Sequence, residues 1–173
     1  MKIGILSGTF DPVHSGHIEL ARIAINNLKL DQVLFVPELE SRYKFQVTEF
    51  EHRLQMLKLA LDSESNVEVF ESELSTHSIE LGTELKDRYS DAELYLLLGA
   101  DVAQSVDSWE EPERIRQIFN VVSFGRYGVE AHLEFDHPAS SKTIRQQLKS
   151  GEAIKYLSNE VLEYINDYKL YQG

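Results

Sequence analysis

The sequence contains no cysteine, only four prolines and one tryptophan, and no long apolar run. The absence of cysteine excludes disulfides, thiolate catalysis and cysteine-ligated zinc. No stretch approaches the roughly 18 apolar residues that a membrane span requires. The first apolar run ends at Leu6, and the glycine and acidic residues that follow do not fit a signal peptide. We therefore expect a cytoplasmic protein.

Basic side chains are also scarce, with 17 Lys and Arg against 29 Asp and Glu and a formal net charge of −12. This deficit argues against nucleic acid as the main partner, because phosphate-backbone contacts need clustered Lys and Arg. A small anionic ligand would need local positive charge or backbone N–H groups to overcome the repulsive field. The 173 residues, 42% of them hydrophobic, predict one compact domain over 1–173.

Short apolar runs alternate with segments of helical periodicity along the chain. The expected strands are 2–6, 32–36, 67–70, 94–98 and 120–124, and the expected helices are 18–30, 50–61, 79–89, 109–118, 141–148 and 159–168. This alternation predicts an α/β, Rossmann-like parallel sheet with helices on both faces and a C-terminal helical segment. Ligands bind such sheets beyond the carboxyl ends of the strands, so the residues that follow each strand are the candidate site.

The most informative motif follows the first strand and runs Gly-Thr-Phe-Asp-Pro-Val-His-Ser-Gly-His over residues 8–17. Gly8 permits close approach of the backbone to a ligand. A helix beginning near Ser15 would direct free N–H groups at a phosphate. His14 and His17 lie three residues apart at its entrance. Two structural alternatives are a turn with two exposed histidines and a metal pair, although i,i+3 histidines without a third ligand are weak evidence for metal.

This motif resembles the His-x-Gly-His signature of the nucleotidyltransferase α/β-phosphodiesterase superfamily. Within that superfamily, the chain resembles bacterial nicotinate-nucleotide adenylyltransferases over nearly its whole length. Further matching segments are Val36-Pro37 with Lys44, His52–Leu57, Gly99-Ala100-Asp101 with Trp109, Arg126-Tyr127-Gly128 and Ser140–Arg145. The resemblance implies adenylyl transfer from Mg-ATP to nicotinate mononucleotide, giving deamido-NAD and pyrophosphate.

The resemblance also implies roles for individual residues. The implied catalytic residues are His14, His17, Lys44 and Arg145; the implied ATP-binding residues are Gly8, Thr9, Phe10, Gly16, Gly99, Asp101, Arg126, Ser140 and Ser141; the implied acceptor-binding residues are Thr76, His77, Ser78 and Trp109. No metal ligand is expected from the protein, since Mg²⁺ would arrive with ATP and keep several waters. The expected partners are ATP and a pyridine mononucleotide, without nucleic acid or membrane, and homo-oligomer formation stays open.

The motifs that would face the acceptor depart most from the family pattern. Ser41, Arg42 and Tyr43 stand where the family has Pro-Pro-His, and the segment 76–81 departs from its Ser-Tyr-Thr-Ile-Asp-Thr. Two alternatives therefore remain: an enzyme that uses another phosphate acceptor, such as nicotinamide mononucleotide, or a nucleotide-binding regulator without catalysis. The intact histidine motif favours an enzyme, because a pure binder gains little from both histidines.

Several of these residues have a purely structural alternative. Ser140 and Ser141 would suit a helix N-cap, and so would Asp101. Trp109 would also serve as a core anchor for its helix. Lys44, His77, Arg126 and Arg145 would be ordinary surface side chains, and His52, His132 and His137 carry no signal for function.

Overall fold

The computed structural model describes residues 1–39, 47–72, 78–125, 128 and 130–172. The strands are β1 (Lys2–Gly8), β2 (Gln32–Pro37), β3 (Val67–Val69), β4 (Glu93–Gly99), β5 (Phe119–Gly125) and β6 (Leu133–Glu134). The helices are α1 (Ser15–Leu28), α2 (Phe50–Leu61), α3 (Ser78–Arg88), α4 (Ala100–Gln104), α5 (Pro112–Ile118), α6 (Ser141–Ser150) and α7 (Asn159–Asp167), with a 3₁₀ turn at Val106–Ser108. Within these ranges, no helix is both long enough and apolar enough to cross a membrane.

The six strands form one sheet in the order β3-β2-β1-β4-β5-β6, and every neighbouring pair is parallel. The order reverses between β1 and β4, which makes the carboxyl end of this pair the topological switch point. Gly8 pairs with Pro37 at the end of β1, and Gly99 pairs with Phe124 at the end of β4. The predicted Rossmann-like parallel sheet is confirmed, and its ligand edge carries two glycines.

The strands bury apolar side chains on both faces of the sheet. In β1, Leu6 joins one core cluster, while Ile3 and Ile5 join the other, as alternation along a strand requires. The first cluster includes buried residues of α1, α2 and α7, and the second includes buried residues of α3 and α5. Burial of each such aliphatic side chain contributes about 1.5–3 kcal/mol to folding stability. The two layers together therefore hold the sheet, and the loops at the carboxyl ends of its strands, in place.

One predicted helix begins later than expected. The segment 109–118 was expected to be helical throughout, but α5 begins at Pro112, and a 3₁₀ turn precedes it. Proline has no N–H to donate inside a helix and its ring clashes with the preceding turn, so it is accommodated in the first turn. The two-residue strand β6 was not predicted, because it is too short to give a periodic pattern.

Candidate active site

The two histidines of the motif come together at the carboxyl edge of β1. His14 is the N-cap of α1 and His17 is its third helical residue; their rings stack with centroids 3.8 Å apart. The backbone N–H of His14 donates to His17 Nδ1 at 3.1 Å. Because His17 Nδ1 accepts this bond, the hydrogen of the neutral ring lies on Nε2, which is therefore a donor. The structure thus brings the two predicted catalytic histidines into one paired unit.

His14 is buried, with 9% of its surface exposed. Its Nδ1 has no hydrogen-bond partner among the described residues. Burial, with a smaller contribution from His137, lowers the pKa of His14 from 6.5 to about 4. His14 is therefore neutral at pH 7.

Gly16 allows the rings to approach the start of α1. A Cβ atom at this position would lie 3.0 Å from Nδ1 of His14 and 3.0 Å from Nδ1 of His137. Such a separation is tighter than ordinary van der Waals contact, so a side chain would push both rings away. The glycine of the motif is therefore explained by close approach, and it places a third histidine beside the pair.

Part of the α1 N-terminus is already occupied by protein acceptors. The N–H of Ser15 donates to the carbonyl of Tyr156 at 2.8 Å, and the N–H of His17 donates to the carbonyl of His14 at 2.9 Å. These two amides are satisfied within the chain, so fewer helix N–H groups are available to a phosphate than the sequence suggests. The histidine side chains carry correspondingly more of the capacity to bind an anion.

A buried arginine forms hydrogen bonds to the backbone of the motif loop. Arg53, in α2, has 2% of its surface exposed and donates to the carbonyls of Thr9 at 2.7 Å, Thr48 at 2.8 Å and Glu38 at 2.8 Å. Burial lowers the pKa of Arg53, while Asp11 and Glu38 act in the opposite direction. Arg53 lies in the matched His52–Leu57 segment, but sequence analysis gave it no role. In the structure it joins the loop after β1 to the segment after β2.

Helix α6 contacts the same loop through two predicted site residues. Ser141 Oγ donates to the carbonyl of Pro12 at 2.9 Å, and Arg145 Nη1 donates to the carbonyl of Asp11 at 2.5 Å. Ser140 is the N-cap of α6, and its Oγ accepts from the N–H of Thr143 at 3.4 Å. Ser140 thus has the capping role that its sequence position suggested. Arg145 is not a free surface arginine, because it brings its guanidinium to the histidine loop.

The C-terminal tail also contacts the motif loop, through Tyr171. The hydroxyl of Tyr171 donates to Asp11 Oδ1 at 2.6 Å, and the N–H of Thr48 donates to Oδ2 at 3.4 Å. Burial and the adjacent Asp11 carboxylate raise the pKa of Tyr171. The Asp11 side chain is therefore engaged in holding the loop. Neither Tyr171 nor Thr48 was assigned a role from the sequence.

Phe10 and Thr9 are buried at the base of the loop. Phe10 adopts a positive φ of 48° and its ring lies edge-on to His17, with centroids 5.1 Å apart. Thr9 Oγ1 donates to Glu38 Oε2 at 3.2 Å. Both residues were predicted to bind ATP. Phe10 therefore packs against the histidine pair, Thr9 bonds Glu38, and contact of either residue with ATP remains a prediction.

A cavity of about 280 Å³ runs along the motif. Its polar wall includes His14, His17 and His137, and its apolar wall includes Phe124 and Phe135. Flat apolar surfaces beside a few converging donors suit a nucleotide, whose base is planar and whose phosphates accept hydrogen bonds. A second cavity of about 470 Å³ shares His14 and His137 with the first, and Glu19, Arg22, Glu64 and Asp136 also line it. Arg22 pairs with Glu64 at 2.6 Å and with Glu19 at 3.7 Å, so this lining carries charges of both signs.

Three further predicted site residues, Gly99, Asp101 and Trp109, lie at the end of β4 or in the segment that follows it. Gly99 is the N-cap of α4, so Asp101 does not have the N-cap role that sequence analysis allowed for it. A Cβ at Gly99 would lie 2.9 Å from Asp101 Oδ1, which shows that the exposed Asp101 carboxylate folds back over the glycine. Trp109 is partly buried against the core cluster that contains α3 and α5, and its Nε1–H donates to Ser105 Oγ at 3.0 Å. Its described contacts are those of a core anchor, and stacking on an acceptor remains a prediction.

Four predicted site residues lie outside the described residues: Lys44, Thr76, His77 and Arg126. Ser78 is the first residue of α3. The described part of the site therefore comprises the histidine loop, the α6 N-terminus and the segment after β4. The histidine loop follows β1, the segment 99–109 follows β4, and the N-terminus of α6 contacts the histidine loop through Ser141 and Arg145.

The family model for cytidylyltransferase-like proteins matches residues 5–147. A protein of Borrelia hermsii named "Probable nicotinate-nucleotide adenylyltransferase" is 33% identical, over 99% of this chain and 98% of its own length. A protein of Dictyoglomus turgidum with the same name is 34% identical, over 99% of this chain and 96% of its own length. The chain belongs to the nicotinate-nucleotide adenylyltransferase family. The family resemblance drawn from the motifs is thereby confirmed.

Solved structures confirm the fold of this family member. The nicotinic acid mononucleotide adenylyltransferase of Plasmodium falciparum, complexed with NaAD, superposes with a TM-score of 0.76 at 23% identity, covering 98% of this chain and 97% of the other. A Vibrio parahaemolyticus structure named "Putative Nicotinate-nucleotide Adenylyltransferase" superposes with a TM-score of 0.73 at 20% identity, covering 99% of this chain and 95% of the other. At these identities the similarity supports the Rossmann-like architecture, while the residue roles depend on the site itself.

Proposed function

We propose that this chain transfers the adenylyl group of ATP to nicotinate mononucleotide and releases pyrophosphate. The observation that carries the proposal is the stacked pair of His14 and His17, which lines a cavity of about 280 Å³ at the switch point of the sheet. Membership of the nicotinate-nucleotide adenylyltransferase family supports the choice of acceptor. The chain would act as a single nucleotidyltransferase domain over residues 1–173.

The reaction requires little acid–base catalysis by the protein. A phosphate oxygen of the mononucleotide attacks the α-phosphorus of ATP, and a new P–O bond forms. The bond from the α-phosphorus to the oxygen that bridges it to the β-phosphorus breaks, and pyrophosphate leaves with that electron pair. The attacking phosphate is already deprotonated at pH 7, so no base is required. Catalysis then consists of positioning the reactants and stabilising charge on the phosphates.

The histidine pair would supply hydrogen-bond donors to this charge. His17 Nε2–H would donate to a phosphate oxygen, because Nδ1 of that ring accepts from the His14 backbone. His14 has its pKa lowered to about 4 and would also act as a neutral ring. Donors that are fixed before ATP binds need no reorganisation during reaction, which is why such groups stabilise a transition state effectively.

The cationic contribution would come from Arg145 and Lys44. Arg145 is fixed against the Asp11 carbonyl and would add a stationary positive charge beside the loop. Lys44 would add a mobile one. The remaining proposed ATP contacts are Gly8, Thr9, Phe10, Gly16, Gly99, Arg126, Ser140 and Ser141, with Asp101 bonding the ribose. The proposed acceptor contacts are Thr76, His77, Ser78 and Trp109.

The described residues fit a magnesium ion that arrives with the nucleotide. They contain no cluster of three His, Cys, Asp or Glu side chains that could hold a metal. Asp11, the carboxylate of the motif loop, is bonded to Tyr171 and Thr48. Mg²⁺ that arrives with ATP would neutralise phosphate charge. The protein groups around it would act by orienting the same phosphates.

Pyrophosphate release tests the proposal directly. The purified chain would be incubated with Mg-ATP and nicotinate mononucleotide, nicotinamide mononucleotide or an unrelated phosphate ester, and both products would be measured. Pyrophosphate and deamido-NAD should form in equal amounts with the acid mononucleotide. ATP binding without product from any acceptor would support the non-catalytic regulator instead. Turnover only with another acceptor would keep the adenylyltransferase and replace its substrate.

A further inference from the structure

His137 completes a cluster of three histidines around Gly16. It lies between β6 and α6, 120 residues or more from the other two along the chain. A Cβ at Gly16 would be 3.0 Å from Nδ1 of both His14 and His137, so the two rings flank the same backbone. His137 also lines the cavity that His14 and His17 face. Its place in the fold therefore matches that of the motif histidines.

The hydrogen bond at one ring nitrogen defines what the other can do. Ala139 N–H donates to His137 Nδ1 at 3.0 Å, so the hydrogen of the neutral imidazole lies on Nε2. His137 Nε2 is 3.4 Å from Ser15 Oγ, near the outer limit for a hydrogen bond. His137 thus presents an N–H donor that its own chain uses only weakly.

Neighbouring aromatic rings keep this donor in place. The ring of His137 is nearly parallel to that of Phe135, with centroids 6.3 Å apart and an interplanar angle of 10°. The ring of Tyr156 meets it edge-on at 5.3 Å, and the carbonyl of Tyr156 accepts from Ser15 N–H. Because stacking and the Ala139 bond fix the ring, ligand binding would not have to order it.

We propose that His137 is a third phosphate-binding histidine, which donates Nε2–H to a phosphate oxygen of ATP beside His14 and His17. This inference rests on the proposed function, since it takes ATP as the ligand. A charged phosphate oxygen is a stronger acceptor than a serine hydroxyl, so the bond moves from Ser15 to the nucleotide.

Direct binding of nucleotides with different numbers of phosphates tests this role. Kd values for ATP, ADP, AMP and adenosine would be measured by calorimetry for the unaltered chain, His137→Phe and His137→Asn. Phenylalanine keeps the ring contacts with Phe135 and Tyr156 but has no N–H, and asparagine restores a donor and an acceptor. The control is His132→Phe, because His132 bonds Ser123 and lines neither described cavity.

The expected result is a loss that grows with phosphate number. His137→Phe should weaken ATP about tenfold or more, as loss of one hydrogen bond to a charged group does, and leave adenosine unchanged. His137→Asn should recover part of the loss, and His132→Phe should bind ATP like the unaltered chain. Unchanged ATP binding by a folded His137→Phe, or equal losses for ATP and adenosine, would overturn the proposal. If His137→Phe does not fold, His137→Asn and His137→Ala give the same comparison.

A result for the unaltered chain separates this inference from the proposed function. If the unaltered chain binds no ATP, both fail together. If it binds ATP and produces pyrophosphate while His137→Phe matches it across the whole nucleotide series, only the role of His137 fails.

Discussion

The loops after β1 and β4 lie side by side at the switch point, yet they are held in different ways. The loop after β1 is bonded by residues distant in sequence: Arg53 from α2, Arg145 from α6 and Tyr171 from the tail. In the segment after β4, the described side-chain bond of Trp109 goes to Ser105, four residues away. The first loop is held by side chains from distant parts of the chain, whereas the described side-chain bonds of the second come from within it and from Arg116 of α5, which bonds Asp107.

This difference matches what each loop is proposed to bind. Donors to a developing phosphate charge must be accurately placed, and a displacement of about 1 Å can cost on the order of 10²-fold in rate. Stacking on a flat ring tolerates more displacement, because the contact is broad and apolar. We therefore expect changes in the β1 loop to reduce turnover, and a change at Trp109 to alter acceptor binding alone.

The largest effect should come from the histidine pair. Replacing His14 or His17 with alanine should lower kcat by about 10²-fold or more, since each removes one fixed donor to the transition state. Steady-state kinetics would measure the loss, and thermal unfolding would show that the variants remain folded. His132→Ala is the control and should keep its activity. Undiminished turnover in both motif variants would exclude the pair from the mechanism.

Acid should destabilise the β1 loop through His14. The folded state holds its pKa near 4 by burial, whereas the unfolded value is about 6.5. Between these values the unfolded chain binds a proton that the folded chain does not, so stability falls as pH decreases from about 6.5 to 4. The full shift corresponds to roughly 3 kcal/mol. Urea unfolding of the unaltered chain and His14→Gln should show a shallower pH dependence in the variant; equal slopes would contradict it.

Replacing Arg53 should lower both the folding stability of the chain and its affinity for ATP. Arg53→Met removes the donors to the carbonyls of Thr9, Thr48 and Glu38 and should cost about 1–3 kcal/mol of folding free energy. The KM for ATP should also rise, because Thr9 lies in the motif loop. Urea unfolding and kinetics would measure both. The control is Arg114→Met, whose exposed ion pair with Glu111 should contribute about 1 kcal/mol or less. A destabilised Arg53 variant with an unchanged KM for ATP would show that the loop keeps its shape without this clamp.

Features built from contiguous residues could be predicted from the sequence, whereas contacts between residues distant along the chain could not. The residues 8–17 form one uninterrupted motif, and β1, β2, β4 and β5 contain apolar runs, so both could be predicted. The bonds of Tyr171 to Asp11 and of His137 to Ser15 join residues 160 and 122 positions apart. Periodicity and spacing report only local structure, so they carry no information about such contacts. Arg53 was within reach, because it belongs to a matched segment and few arginines are buried without a specific partner.

The smallest and most selective effect should come from Trp109. If its ring stacks on the pyridine of the acceptor, Trp109→Ala should raise the KM for nicotinate mononucleotide several-fold, as loss of about 0.5–1.5 kcal/mol implies, and leave the KM for ATP unchanged. Trp109→Phe keeps a flat ring and should restore most of the binding. If Trp109 only anchors the core cluster containing α3 and α5, the alanine variant should lose thermal stability and both KM values should rise together.

The same kinetics decide between acid and amide mononucleotides. Backbone amides near residues 76–78 would donate to the carboxylate of the acid, and bonds to a charged group are about twice as strong as those to a neutral amide. The kcat/KM for nicotinate mononucleotide should therefore exceed that for nicotinamide mononucleotide. Trp109→Ala should lower both values equally, because stacking does not depend on the substituent's charge. Equal use of both mononucleotides by the unaltered chain would remove the acid preference and leave an adenylyltransferase whose acceptor site recognises only the ring and the phosphate.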